Sequence, residues 1–159
     1  MRNARVWRAL LGVDEAVVEK VEFDEDRRAV AGHVHPVRAA RGRCGVCQRR
    51  CGRYDAGEGR RRWRTLDLGS VPAYIEADAP RVCCPEHGVV VAHVPWARHG
   101  AGHTIAFDET VAWLATQCSK TAVLRTFCGL SQDQLRPGTR RAVDSTRALH
   151  VTLACGKYT

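Results

Sequence analysis

Residues 16–23, Ala-Val-Val-Glu-Lys-Val-Glu-Phe, alternate loosely between apolar and charged, the pattern of a half-buried strand. Asp24-Glu25-Asp26 reads as a turn, and Ala29 to Val37 as a returning strand that ends near Pro36. A second period of two runs from Arg61 to Leu68 around Trp63, Leu66 and Leu68, until Gly69-Ser70 breaks it. Val71, Ala73, Ile75 and Ala77 then share one side of an extended segment. Pro80 closes that segment, Arg81 to Cys84 leads onward, and Val89 to Val94 is another strand. From Ile105 the period changes. Phe107, Val111, Leu114 and Cys118 stand at i, i+4, i+7 and i+11, the stripe of an amphipathic helix. Ser119 caps a second helix, Lys120 to Cys128, with Val123, Leu124 and Phe127 on one face. Gly129 can end it, and Ser131 can cap a third helix carrying Gln132, Asp133, Gln134 and Leu135. Short helix, glycine turn and capped helix outline a helix-turn-helix. The pattern predicts an α+β chain with a hairpin over 1–38, a β domain over 39–100, a helix-turn-helix over 104–136 and a tail over 137–159.

The β domain has little apolar material, and its cysteines supply a substitute. Cys44-Gly45-Val46-Cys47 is answered by Cys84-Pro85-Glu86-His87. Two residues between ligands let a tight turn bring both donors to one side, and two such turns complete a tetrahedron that suits Zn²⁺. Cys44, Cys47, Cys84 and His87 are therefore the expected ligands of a small zinc-clasped β domain. Cys83 points to the face opposite Cys84 in an extended segment, so one of the two reaches the metal. Cys84 is preferred because the turn-forming Pro-Glu-His-Gly follows it directly, and Cys51 could replace His87 to give a four-sulfur site. Cys118, Cys128 and Cys155 lack paired spacing and read as small buried hydrophobes. Trp63 and Trp96 are expected to cover the clasp, and His93, His99 and His103 to be surface loop residues.

Composition narrows the class. Eight cysteines in 159 residues, with no signal-like apolar run, point to a reducing compartment and a cytoplasmic protein. No segment approaches the ~20 apolar residues of a membrane span. The net charge of +8 is unevenly placed: residues 38–64 carry +8, residues 65–118 carry −4, and 119–159 carry +5. All but three of the 25 cations are arginine, whose planar fork fits phosphate and base edges. Arg49, Arg50, Arg53, Arg60, Arg61 and Arg62 surround the first cysteine pair and are candidate contacts to double-stranded DNA, mainly to phosphate. The acidic hairpin before them is expected to serve as a lid or edge.

Several motifs then occur in order: Cys44-x2-Cys47, Arg62-Trp63-Arg64-x-Leu66-Asp67-Leu68-Gly69, Cys84-Pro85-Glu86-His87-Gly88, Val94-Pro95-Trp96-Ala97 and Ser119-Lys120-Thr121-Ala122-Val123. Over roughly residues 1–128 the chain resembles the amino-terminal region of the ISL-group insertion-sequence transposases of bacteria. The resemblance implies a zinc finger on Cys44, Cys47, Cys84 and His87, then a helix-turn-helix, both preceding a catalytic domain of DDE type. It places DNA reading on the helices after Thr104, where Lys120, Thr121, Gln132 and Arg136 are the candidate contacts. Beyond Gly129 the chain departs from the family: Pro137-Gly138 cuts the third helix, and Asp144 is the one carboxylate among residues 139–159. The expectation is a truncated copy that binds the element's terminal inverted repeat without strand transfer, takes no small-molecule substrate, and can form a homo-oligomer. The alternative is an interaction module that associates with or inhibits an intact transposase. A thiol oxidoreductase using Cys44 and Cys47 ranks last, because no thioredoxin-like βαβ alternation surrounds them.

Overall fold

The structure, a computed structural model, describes residues 3–128. It has two compact units, residues 1–107 and 108–159, each taken by itself below. Helix α1 (Ala4–Leu11) opens the first unit. It ends because Gly12 takes the left-handed conformation (φ 65°), which lets the Gly12 and Val13 amides donate back to Ala9 and Arg8. Its last residue, Leu11, is fully buried.

Strands β1 (Ala16–Asp24) and β2 (Ala29–Pro36) form the expected antiparallel hairpin. Strands β4 (Arg60–Leu68) and β5 (Val71–Asp78) form a second one. A parallel pairing of β2 with β5 joins the two hairpins into one sheet of order β1-β2-β5-β4. One face of this sheet is apolar. Trp63 and Ile75 are direct cross-strand partners there, as are Thr65 and Ala73, and all four are at most 2% exposed. Leu11, Val13, Val18, Val34, Val94 and Trp96 complete the cluster. Trp63 and Trp96 meet edge to face with centroids 5.7 Å apart, so they are the centre of this core rather than covers of the metal clasp. Leu66 and Leu68 stand an odd number of positions from Trp63, so strict alternation puts them on the opposite face; a register shift between Thr65 and Leu68 lets Leu68 pack, half-buried, at the margin of the cluster.

Two buried hydroxyls tie the elements together. Thr65 donates to the Leu11 carbonyl at 3.1 Å, and Thr104 bonds Thr65 at 3.3 Å while accepting the Phe107 amide as the cap of the next helix. Both buried hydroxyls are thereby matched, and an unmatched one would cost about 1–3 kcal/mol.

The second sheet is smaller: β3 (Gly52–Asp55), β6 (Arg81–Cys84) and β7 (Gly88–Val91), antiparallel in the order β3-β6-β7. Among the described residues, β3 and β6 contribute nothing to the hydrophobic cluster, and β7 contributes only Val91 at its margin.

In the second unit, α2 (Ile105–Gln117), which begins at the end of the first, and α3 (Lys120–Cys128) follow the predicted stripe and cap. Val111 and Val123 are buried, and the Ser119 hydroxyl accepts the Ala122 amide at 3.3 Å. Cys118 is exposed, correcting the expectation that it is a buried hydrophobe: it lies one residue past the end of α2, where the stripe has stopped. The third helix from Ser131, the break at Pro137-Gly138, Cys155 and the tail lie outside the described residues. Among those residues no helix is long and apolar enough to cross a membrane.

Candidate metal centre and nucleic-acid interface

The first knuckle is a turn closed by its own backbone. The Cys44 amide donates to the Arg49 carbonyl at 2.8 Å, and the Gln48 amide returns to the Cys44 carbonyl at 2.9 Å. Gln48 adopts a left-handed conformation (φ 58°) to make that return. The Val46 amide points at Cys44 Sγ, 3.4 Å away, so the turn supplies a donor to the sulfur while it aims both thiols inward. The turn is then docked: the His93 amide donates to the Arg43 carbonyl at 2.8 Å, and Cys44 pairs with Ala92 in an isolated antiparallel bridge.

Alternation along β6 sets the second pair. Cys83 faces solvent, whereas Cys84 is buried and turned toward the first knuckle. Cys44, Cys47, Cys84 and His87 bring one donor atom each within 4.8 Å of all the others. Cys47 Sγ is 3.8 Å from Cys84 Sγ, and His87 Nδ1 is 3.8 Å from Cys44 Sγ and 3.6 Å from Cys84 Sγ. Tetrahedral zinc with Zn–S of about 2.3 Å and Zn–N of about 2.0–2.1 Å separates its ligands by about 3.5–3.8 Å. The donor spacing therefore fits that ion. The His87 hydrogen bond, helped by the Glu86 and His87 amides, brings the Cys84 thiol down to about 6, which favours the thiolate that a metal requires.

Gly45 is the tightest point of the knuckle. A Cβ there would stand 2.5 Å from both His99 Nδ1 and the Val91 carbonyl. His99 thus packs over the turn from the loop after Trp96. The other histidines are less superficial than expected. Burial pulls the half-buried His93 down, and His103 stacks on Phe107 with ring centroids 5.0 Å apart. The spacing of these residues in sequence gave no sign of either contact.

The arginines divide into two groups. Alternation on β4 puts Arg60 and Arg62 on the outer face of the large sheet, opposite Asp78 and Glu76. Arg62 bonds Glu76, lies 3.8 Å from Asp24, and stacks on Tyr74. Arg60 donates to His33 Nδ1 at 2.8 Å, and His33 Nε2 meets Glu22 at 2.7 Å. The acids of the first hairpin and of β5 thus engage these two cations. Arg61 points to the other face and stacks on Trp63 at 5.4 Å. Arg49, Arg50 and Arg53 stand apart, exposed on the small sheet and the loop leading into it. Of these, Arg49 meets Glu86 at 3.7 Å with both side chains more than half exposed, a contact worth little in water. Tyr54, 58% exposed, and Arg81 stack beside them at 5.4 Å; sequence reading passed over both because the short β3 shows no period. Thr121 is exposed on α3. The side chain of Lys120, and Gln132 and Arg136, lie outside the described part of the chain.

Comparison with known proteins agrees with this geometry. Residues 40–87 match the zinc-finger of transposase IS204/IS1001/IS1096/IS1165, and residues 92–134 match the helix-turn-helix domain of transposase family ISL3. The transposase for insertion sequence element IS1557 of Mycobacterium tuberculosis, in strains CDC 1551 / Oshkosh and ATCC 25618 / H37Rv, is 57% identical over 128 residues. That match takes in 77% of this chain and 29% of the relative, so the chain spans under a third of the curated relatives' length. No solved structure matches. The chain thus carries a zinc-finger domain, whose four donors stand at tetrahedral spacing, followed by a helix-turn-helix domain, both of the kinds found in ISL3-type insertion-sequence transposases.

Proposed function

We propose that the chain is a zinc-stabilised DNA-binding module that holds the ends of an insertion element and does not itself carry out strand transfer. The observation that carries this is the convergence of Cys44, Cys47, Cys84 and His87 directly beside the exposed Arg49, Arg50 and Arg53. When bound, Zn²⁺ joins the two turns and fixes the small sheet. The protein's own residues do the rest. The Val46 amide orients the Cys44 sulfur, and the hairpin Arg43–Arg50 presents Arg49 and Arg50 on a rigid support.

Arg49, Arg50 and Arg53 act as phosphate contacts that set the register of the module on the duplex. Arg60 and Arg62, engaged with Asp78, Glu76 and Asp24, contribute less. Base reading falls to the helix-turn-helix, with Thr121 on α3 and with Lys120, Gln132 and Arg136. The relatives' name as a transposase supports element ends as the target.

Duplex binding measured against salt tests the reading. Each phosphate contact contributes about 0.9 to the slope of log affinity on log salt, so reversing all three exposed arginines of the small sheet should flatten it by about 3. Reversing Arg60 and Arg62 should flatten it far less. An unchanged slope in the triple variant, or no duplex binding by the zinc-loaded chain, would contradict the proposal.

A further inference from the structure

The outer face of the small sheet has a make-up that the zinc site does not explain. Along β6 the alternation that turns Val82 and Cys84 inward leaves Arg81 and Cys83 outward and exposed. Cross-strand pairing puts Gly52 of β3 and Val89 of β7 on that same face, opposite Cys83, and Asp55 opposite Arg81. Strict alternation would send Tyr54, one position before Asp55, to the other side. A register shift between Arg53 and Asp55 prevents this. Tyr54 and Asp55 together oppose Arg81, as the two residues of a β-bulge oppose one on the partner strand. The Arg81 guanidinium accordingly stacks on the Tyr54 ring, 5.4 Å from its centroid. Arg81 is itself fixed by a forked contact to Asp55, one arm of it 2.9 Å long. Asp55 also accepts the Gly57 amide at 2.8 Å. The ring is thus held in place, yet Tyr54 is 58% exposed. Beside it the face is low: Gly52 has no side chain, and a Cβ there would meet nothing within 4 Å.

We infer that this face binds an unpaired nucleotide of DNA, its base stacked on Tyr54 and seated over Gly52. An exposed aromatic ring on a sheet offers a π-face that any base can cover. A base inside a duplex has its faces taken up by the stack and must leave it to do so. The flanks suit the rest of the strand. Arg53 precedes Tyr54, and Arg49 and Arg50 lie on the segment leading into β3, all exposed, so cations are at hand for the adjoining phosphates. Asp55, the acid next to the ring, is engaged by Arg81 and repels a phosphate less than a lone carboxylate would. Such a contact distinguishes paired from unpaired DNA and is indifferent to sequence, since every base has a π-face. It rests on the nucleic-acid reading above and adds the state of the strand to it.

Equilibrium binding of the zinc-loaded chain to a short oligothymidylate and to a duplex of equal length, at one salt concentration, tests it. The unaltered chain should bind both. Binding to neither sinks the nucleic-acid reading and this inference together, whereas binding to the duplex alone sinks only the inference. Tyr54→Ala should weaken single-strand binding by about 5- to 150-fold, the range of one lost base stack, and leave duplex binding unchanged. Tyr54→Phe, which keeps the ring, should bind the single strand as the unaltered chain does. Gly52→Val should fold and take up zinc, because the position is open, yet weaken single-strand binding by standing where the base lies. The inference is overturned if Tyr54→Ala keeps its single-strand affinity, loses equally on single strand and duplex, or is matched in its loss by Tyr54→Phe. Should Tyr54→Ala fail to hold zinc, Gly52→Val decides: undiminished single-strand affinity in that variant overturns the inference as well.

Discussion

The two sheets of the first unit are held by different forces. The four-stranded sheet buries Trp63, Ile75, Leu11 and Val13 at 2% exposure or less against Trp96 and Val94. Each such side chain contributes about 1.5–3 kcal/mol or more by leaving water. The three-stranded sheet buries Val82 and Cys84, with Cys44 and Ala92 as neighbours. That is too little to order three strands and two turns, each residue of which loses about 1–2 kcal/mol of backbone entropy. A structural zinc supplies about 10–16 kcal/mol at neutral pH, so here the metal does what apolar area does next door. The lesson is that the same chain can specify one sheet by pattern and its neighbour by ligand spacing.

The comparison can be broken in order of effect. Cys44→Ser should be the most damaging, because it removes a buried sulfur at the junction of the first knuckle with Ala92. Zinc analysis of the purified variant should show the site lost. Trp63→Ala should cost about 3–5 kcal/mol in denaturant unfolding yet leave one zinc bound by whatever fraction is folded. Loss of zinc in folded Trp63→Ala protein would show that the sheets are not separately specified. Gly45→Ala comes next. Its methyl would meet His99 and the Val91 carbonyl at 2.5 Å, for about 1–3 kcal/mol of overpacking, and should weaken zinc affinity without altering the large sheet. Acid gives the mildest test. The Cys84 thiol is lowered in the folded chain, so its stabilisation is fully present above the ordinary thiol range and is lost as pH falls through about 6. Zinc uptake by metal-free protein should therefore decline through that region, while tryptophan fluorescence from the core stays constant.

Most of the strands were legible because period-two alternation governs Val71, Ala73, Ile75 and Ala77, and the knuckles because ligand spacing is a local property. Three features were not. Helix α1 was hidden because Arg5 and Arg8 interrupt Val6, Trp7, Leu10 and Leu11, drawing attention to charge instead of to a short amphipathic turn. The parallel pairing of β2 with β5 is non-local and leaves no mark on either strand. The arginines of 38–64 read as one patch, although alternation around Trp63 already implied that Arg60 and Arg62 face away from Arg61. What sequence could not supply was the identity of their partners, Asp24 and Glu76, which only folding brings close. The candidate site was more legible than its surroundings: strand geometry puts Cys83 and Cys84 on opposite faces, and the turn that follows Cys84 picks it as the one facing in. The packing of His99 over Gly45 depends on a distant loop and does not.

Residue-resolved amide exchange, with zinc bound and after chelation, tests most directly the claim that metal holds one sheet and core the other. On chelation the amides of β3, β6 and β7 should lose protection, together with those of Cys44 and Gln48, while those of β1, β2, β4 and β5 keep theirs. Retained protection across the small sheet without zinc, or loss of protection in both sheets together, would contradict the account.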